Sequence, residues 1–265
     1  MKNCPICESE SLVLKKGIMF APPEHSDIWK EISRDYNILK CGDCGLEFCD
    51  PMPTDKVLRT LYSKTYKNPR ATDEIVVLNA KKNIKLLKNY GLSRKSKLMD
   101  FGSGADDCFV KTGNSKNWQG YDPYLNLTKK EKLGENYDFV TLWGVLEHLI
   151  DPVKELKNIN EMLNGRGKIV ITTVFNPFTN IPYNHKPPEH TLYFTEESIK
   201  RLFKKTGFKI LEYSPYMMWQ KPEVYFWCIF NSSRMPEKIR KKVQLNFKGN
   251  ILVPTNEVFV VGEKV

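Results

Sequence analysis

Apolar residues in this chain gather in short runs, and the spacing inside the runs changes from segment to segment. Leu98, Met99 and Phe101 enclose Asp100 and stop at Gly102-Ser103-Gly104, which predicts a short buried strand and a turn. After a helix, a second run closes on Gly120-Tyr121-Asp122-Pro123. A third, Tyr137-Asp138-Phe139-Val140-Thr141-Leu142-Trp143, is almost continuously apolar, as a strand covered on both faces must be. Further strands are predicted at 168–173, 208–213 and 258–262. Elsewhere the spacing is helical. Val57, Leu58, Leu61 and Tyr62 predict a helix from Asp55, and Ile75, Leu78, Ile84 and Leu87 predict another over 73–90, stopped by Gly91. Asp151-Pro152 opens a helix running through Leu163, with Gly165 and Gly167 ending it. Thr195 caps a helix over 195–206, with Glu196-Glu197 in its first turn, Lys204-Lys205 in its last and Gly207 beyond. This alternation of strand and helix predicts an α/β domain on a doubly wound, mostly parallel sheet.

The residues before this domain read differently. Cys4-Pro5-Ile6-Cys7 and Cys41-Gly42-Asp43-Cys44-Gly45 are two Cys-x-x-Cys knuckles with 33 residues between them. Four thiolates in paired turns match the tetrahedral, soft-ligand demand of zinc, and with all four positions filled by protein the metal is structural; reduced structural thiols or an iron site are the other readings. The intervening stretch has strand-like pieces at 11–14 and 36–39. The expected organisation is a zinc ribbon over 1–50, a helical linker or cofactor lid over 51–95 that begins at Pro51-Met52-Pro53, and the α/β domain over 96–265. Within the last, 216–250 carries Met217-Met218-Trp219, Tyr225-Phe226-Trp227 and a basic helix, and reads as an acceptor-side or interface insertion or as ordinary core packing. Cys49, Cys108 and Cys228 read as small buried hydrophobes. His25 is read as a surface residue of the ribbon's long loop.

At 265 residues, with 41% hydrophobic and 12% aromatic content, one packed domain and a small module fit the chain. The formal charge of +10 is scattered over pairs such as Lys81-Lys82 and Lys204-Lys205, as solvated helix faces are, and the remainder suits an anionic partner. No apolar run approaches the roughly 20 residues of a membrane span. No signal-like segment precedes Cys4, so the expectation is a cytoplasmic protein with reduced thiols and no membrane partner.

The glycine turn with an acid eighteen residues after Gly104 is how an open parallel sheet grips an adenosine-containing ligand: the glycines admit a close backbone approach, and the acid takes the ribose hydroxyls. A dinucleotide fingerprint wants a third glycine at 107, against the pyrophosphate. This chain has Asp106 and Asp107, whose charges repel phosphate, and no Gly-Lys-Ser/Thr follows for a P-loop. S-adenosylmethionine, cationic and without phosphate, tolerates these acids. Beyond the fifth strand, 184–190 offers His185, Lys186, Glu189 and His190 at the carboxyl edge of the sheet. His190 is the candidate general base, Glu189 its orienting partner, and His185 or Lys186 the contact to an anionic part of the acceptor. The competing reading has His190 as a structural residue packed on Tyr193 and Phe194, and His148 as structural. Tyr62 and Tyr66 are read either at the amino-acid end of the ligand or as packing aromatics.

Together, the ribbon, the glycine turn, the acidic second strand, Leu146-Glu147-His148 and Pro188-Glu189-His190 with Tyr193-Phe194-Thr195 resemble class I S-adenosylmethionine-dependent methyltransferases with an N-terminal zinc ribbon, which have a Rossmann-like fold. The resemblance implies that Asp100, Gly102 and Gly104 hold the methionine end, Asp122 the ribose, and that Trp143 and Gly144 line the cofactor beside the acceptor. It implies Glu189-His190 as an acid–base dyad, as in ribbon-bearing sugar C-methyltransferases. It also implies methyl transfer to a small molecule, a nucleotide-linked sugar or other anionic metabolite, with an RNA-directed enzyme and a non-catalytic binding module as alternatives. Three departures stand out. The third glycine of the turn is Asp106. Gly144 replaces an acid found in relatives that bind magnesium at the position of Glu147-His148. Only fifteen residues separate Asp122 from Asp138, too few for the usual helix and strand, so a reduced adenine-side wall is expected.

Overall fold

A computed structural model describes residues 3–15, 33, 35–65, 73–125, 133–175, 185–222 and 249–265. The first strands form a small antiparallel sheet: β1 (Leu12–Lys15) pairs with β2 (Asn37–Cys41), and β2 with β3 (Glu47–Asp50). The second cysteine pair closes the β2–β3 hairpin. Cys41 N–H donates to the Leu46 carbonyl at 2.8 Å and Gly45 N–H to Cys41 at 3.1 Å, with Gly45 at φ +71°, where a side chain would be strained. Two helices follow, α1 (Asp55–Thr65) and α2 (Glu74–Lys88). Asp73 caps α2 by accepting from Ile75 N–H at 3.0 Å, and Gly91, at φ +93°, lies just beyond its end.

The main sheet starts with β4 (Leu98–Phe101), a central strand buried at every position, as a strand covered on both faces must be. A six-residue helix, α3 (Cys108–Gly113), leads to β5 (Trp118–Tyr121). Its shortness has a local cause, since the residues flanking it, Asp107 and Asn114, both take left-handed conformations. Next come β6 (Tyr137–Trp143), α4 (Pro152–Met162) and β7 (Leu163–Val174), then β8 (Leu192–Tyr193), α5 (Glu196–Lys205), β9 (Phe208–Gln220) and β10 (Ile251–Lys264). The sheet order is β5-β4-β6-β7-β10-β9. The first four strands run parallel, and β10 is antiparallel to both of its neighbours, so it alone is reversed. The doubly wound, mostly parallel α/β architecture is thus present, with β5 as an edge strand among the described residues.

Three boundaries differ from the sequence reading. Helix α4 ends at Met162, and β7 takes in the Asn-Gly-Arg-Gly stretch as a bulge, since Tyr137 faces Leu163 while Phe139 faces Lys168. Gly167 is required there, because a Cβ would come within 2.8 Å of the Tyr137 carbonyl oxygen. Strands β9 and β10 extend well past 208–213 and 258–262, so residues 216–220 of the expected insertion belong to the sheet; 223–248 lie outside the described residues. Asn79 of α2 binds both the N–H and the carbonyl of Trp219, at 2.9 and 3.0 Å, and Asn83 accepts from the Tyr216 hydroxyl at 2.9 Å. These bonds fasten α2 to β9.

The third difference is the largest. β3 pairs with β8, Glu47 facing Tyr193 and Phe48 facing Leu192, so the small sheet has the order β1-β2-β3-β8 and crosses the expected boundary at residue 50. One hydrophobic core holds Cys4, Ile6, Leu46 and Phe48 together with Met99, Val140 and Ile171. Thr195 adds to this weld. Its hydroxyl oxygen accepts from Ser198 N–H in a capping box and donates to the Cys44 carbonyl at 2.6 Å. Thr195→Ala should cost about 1–2 kcal/mol through loss of the cap. Urea unfolding checks this, and an unchanged midpoint would contradict the role given to the cap.

Candidate active site

The glycine turn follows β4 at the carboxyl edge of the parallel strands, where open α/β sheets bind ligands. Gly102 and Gly104 take φ of +76° and +72°. A Cβ on Gly102 would fall 2.4 Å from Val145 Cγ2, whereas one on Gly104 would meet nothing within 4 Å. The turn is therefore packed tight on the β6 side and open at Gly104. The amides of Gly102 and Ser103 both donate to the Tyr121 carbonyl, at 2.7 and 3.2 Å. Asp122, buried at the end of β5, accepts from Gly104 N–H at 3.1 Å through one oxygen and from Tyr124 and Leu125 N–H, both at 2.9 Å, through the other. Turn and acid thus form one hydrogen-bonded unit. Asp100 is buried and accepts from the Thr141 hydroxyl at 2.6 Å; burial pushes its pKa up to about 7 against that hydrogen bond.

Asp107 does not stand free in the turn. It accepts from the Ser103 hydroxyl at 2.6 Å and lies over Gly120, where a Cβ would come within 2.0 Å of its Oδ1. Gly120 is thus part of the site's frame, and a glycine facing an acid-rich turn is its only trace in the sequence. Tyr124 is the other residue that sequence reasoning missed, although its place two residues after Asp122 was a usable signal. Its ring stacks on Tyr62 at 5.0 Å and its hydroxyl donates to Asp55 at 3.1 Å, which ties α1 to the turn beyond β5. Tyr62 also meets His148 edge-on at 6.0 Å. Tyr66 lies outside the described residues. Trp143 ends β6 with its ring packed among Phe109, Phe259 and Tyr216, and its indole N–H is buried without a partner among the described residues. Gly144, at φ +63°, then turns the chain and donates to the Thr172 carbonyl at 3.1 Å.

Beside this turn the structure brings together residues far apart in sequence. Donor atoms of Glu147, His148 and His190 lie within 4.8 Å of one another, and the two imidazoles meet edge-on at 4.7 Å. His148 Nδ1 sits 2.7 Å from the Glu189 carbonyl oxygen; a carbonyl can only accept, so Nδ1 carries the proton and Nε2 the lone pair. Glu189 therefore orients His148 through its backbone. His190 Nδ1 is buried without a partner among the described residues. Burial holds both histidines below the ordinary imidazole range, His190 well below it, so both are neutral near pH 7. Glu147 accepts from the Thr173 hydroxyl at 2.7 Å, and burial, followed by the nearby Glu257, pushes its pKa up to about 8. His185 departs from expectation. It is 2% exposed and its Nε2 donates to Glu47 at 2.7 Å, so its side chain is committed to the cysteine module and closed to an acceptor. Lys186 follows His185 in the chain, and its charge acts on Glu147, His148 and His190.

The four cysteine sulfurs of Cys4, Cys7, Cys41 and Cys44 also lie within 4.8 Å of one another, with Cys4–Cys44 at 3.6 Å and Cys7–Cys41 at 3.5 Å. Zinc–sulfur bonds of about 2.3 Å in a tetrahedron require sulfur separations of about 3.8 Å, so the donor set fits zinc in number, chemistry and spacing.

The sequence profile of a methyltransferase-domain family matches residues 75–213, just over half of the chain. The chain belongs to this family. The matched span includes the glycine turn, Asp122, the Glu147–His148 turn and the 185–195 segment, so the methyltransferase signature and the geometry above coincide. Among solved structures, an S-adenosylmethionine-dependent methyltransferase from Thermotoga maritima is 15% identical over 78% of this chain and 99% of its own, with a TM-score of 0.49. One from Aquifex aeolicus is 13% identical over 77% and 97%, with a TM-score of 0.44. An O-methyltransferase from Brevibacillus brevis, in complex with S-adenosylhomocysteine, is 11% identical over 71% and 72%, with a TM-score of 0.45. No curated protein matches the chain.

The buried carboxyl of this methyltransferase's strand-end turn has a consequence for pH. Between the ordinary value of 4.5 and about 8, folded Glu147 keeps a proton that the unfolded chain releases. Stability therefore falls as pH rises through that interval. Glu147→Gln removes this contribution, so its urea midpoint should decline less between pH 5 and 8 than that of the wild type. Parallel curves would contradict the assignment.

Proposed function

We propose that this methyltransferase uses S-adenosylmethionine and methylates a small anionic acceptor, a nucleotide-linked sugar or another anionic metabolite. The observation that carries the reading is the placement, at one strand edge, of an open glycine turn tied to Asp122 beside two neutral imidazoles and Lys186. When bound, the cofactor would supply a methyl group on a sulfonium for in-line transfer to the acceptor, with the thioether as the leaving group. Asp122 takes the ribose hydroxyls with the lone pairs its backbone bonds leave over. The open backbone at Gly104, with Gly102 and Asp100 behind it, faces the methionine end, and Trp143 and Gly144 form the wall toward the acceptor. Tyr66 is assigned to the same end of the ligand. Asp106 and Asp107 favour this cationic ligand over a pyrophosphate.

Alignment of methyl and acceptor supplies much of the rate in such a displacement. An acceptor hydroxyl or acidic carbon must also lose a proton, and we assign its removal to His190, whose burial keeps the ring neutral, with one nitrogen free to take a proton. Glu189 supports this edge through the carbonyl that fixes His148. The anionic part of the acceptor is assigned to Lys186, since His185 is engaged by Glu47. The four cysteines are assigned to a structural zinc.

Calorimetry with S-adenosylhomocysteine should give a one-to-one complex. Asp122→Ala should weaken it about tenfold or more, equivalent to about 1.4 kcal/mol. Folded wild-type protein giving no heat would refute the cofactor assignment. With an acceptor in hand, His190→Ala should lower kcat at least a hundredfold while leaving cofactor affinity unchanged. Near-normal turnover would remove His190 as the base.

A further inference from the structure

The segment from His185 to Thr191 carries both acceptor-side groups assigned above, Lys186 and His190, yet it has no helix or strand of its own. Hydrogen bonds hold it on two sides. On one side stands the cysteine module. Glu47, the first residue of β3 and three residues after Cys44, accepts from His185 Nε2 at 2.7 Å with both side chains at most 2% exposed. Cys49 N–H donates to the Thr191 carbonyl at 2.9 Å, and the Cys49 thiol lies 3.3 Å from the His190 carbonyl. On the other side stands the turn after β6. Thr191 N–H donates to the Glu147 carbonyl at 2.7 Å, and the Thr191 hydroxyl lies 2.9 and 2.7 Å from the carbonyls of Glu147 and Leu149. Tyr193 fills the space between. Its ring meets His185 edge-on at 4.6 Å and His190 at 6.1 Å, and its hydroxyl accepts from Lys186 N–H at 2.6 Å.

We propose that the cysteine module is the positioning frame of the acceptor side, and that Glu47 is a positioning residue that sets His190 through His185 and Tyr193. The proposal rests on the reading of 185–190 as the acceptor side. Its physical basis is the cost of leaving a buried polar group unpaired: with Glu47 in place, His185 has one buried position in which Nε2 is satisfied, and the neighbouring Tyr193 and Lys186 amide follow it. The frame itself depends on the knuckle at 41–45, which closes the β2–β3 hairpin and ends two residues before Glu47. A metal bound by the four cysteines therefore fixes β3, and through β3 the loop. The hydrogen bonds described for the glycine turn close instead on Tyr121 and Asp122. The module's hydrogen bonds thus reach the acceptor side, while those of the glycine turn close within the turn and β5.

The chain has four histidines, so imidazole NMR signals of the labelled full-length protein can be resolved and assigned by substitution. In Glu47→Ala the His185 and His190 signals should move, and amide hydrogen exchange over 185–194 should quicken at least tenfold. Affinity for S-adenosylhomocysteine should stay within twofold of wild type. Glu47→Gln, which keeps an oxygen to accept from His185, should restore the wild-type signals. Removing the metal with a chelator should reproduce the Glu47→Ala pattern, again with cofactor affinity retained. A Glu47→Ala protein with lower stability but an unmoved His190 signal would overturn the positioning role. Loss of cofactor affinity together with loop protection would overturn the division of labour. If Glu47→Ala does not fold, His185→Gln serves, since it leaves β3 intact; an unmoved His190 signal there would equally overturn the proposal. Failure of the methyltransferase reading would show separately, as wild-type protein that does not bind S-adenosylhomocysteine.

Discussion

The pairing of β3 with the chain at Thr191 is the constraint on which the two halves of this protein depend. Thr191 is fully buried, and its backbone and hydroxyl are spent on both halves at once: its carbonyl accepts from Cys49, while its N–H and hydroxyl reach the carbonyls of the turn after β6. Opening this joint would leave several buried polar groups unpaired, each at a cost of about 1–3 kcal/mol. Small modules bound by four cysteines are commonly autonomous, but here the module contributes a core face, a strand partner and an acceptor for the hydroxyl of Thr195, the residue that caps α5. Its role is architectural beside the loop to which the acceptor is assigned.

The cofactor side rests on a different constraint, close steric approach. Gly102 must lack a side chain because Val145 lies against it, and Gly120 because Asp107 does. These contacts press the turn, β5 and the segment after β6 into one layer, from which Asp122 reaches back to the Gly104 amide. The two sides meet in the short stretch 144–148, whose backbone is pinned to β7 through Gly144 and to the loop through Glu147. The glycine turn and the 185–191 loop are thus registered to each other by a few residues of backbone.

Much of this was legible in the sequence where the signal is local. The glycine turn, the acid after β5, the buried run of β6 and the capped α5 depend on neighbours a few residues away, and the cysteine knuckles announce themselves by spacing. What was not legible depends on partners more than a hundred residues apart. Nothing in Glu47-Phe48 shows that it pairs with Leu192-Tyr193, so His185 reads as an acceptor contact when it is in fact Glu47's buried partner. Asn164-Gly165-Arg166-Gly167 reads as a turn because its glycines do, although the bulge keeps it within β7. The short interval after Asp122 predicts a reduced adenine-side wall; part of it lies outside the described residues, among which β5 is the edge strand. Placing Glu147, His148 and His190 together required the fold itself.

The account's central claim is that one strand edge holds the cofactor on the glycine turn and presents His190 to the acceptor from a loop framed by the cysteine module. A crystal structure of the metal-loaded protein with S-adenosylhomocysteine tests it most directly. The account predicts the ribose on Asp122, the homocysteine chain along the open face of Gly104 and its sulfur directed toward the His148–His190 pair. A ligand bound elsewhere, or lying at the turn with its sulfur directed away from His190, would contradict it.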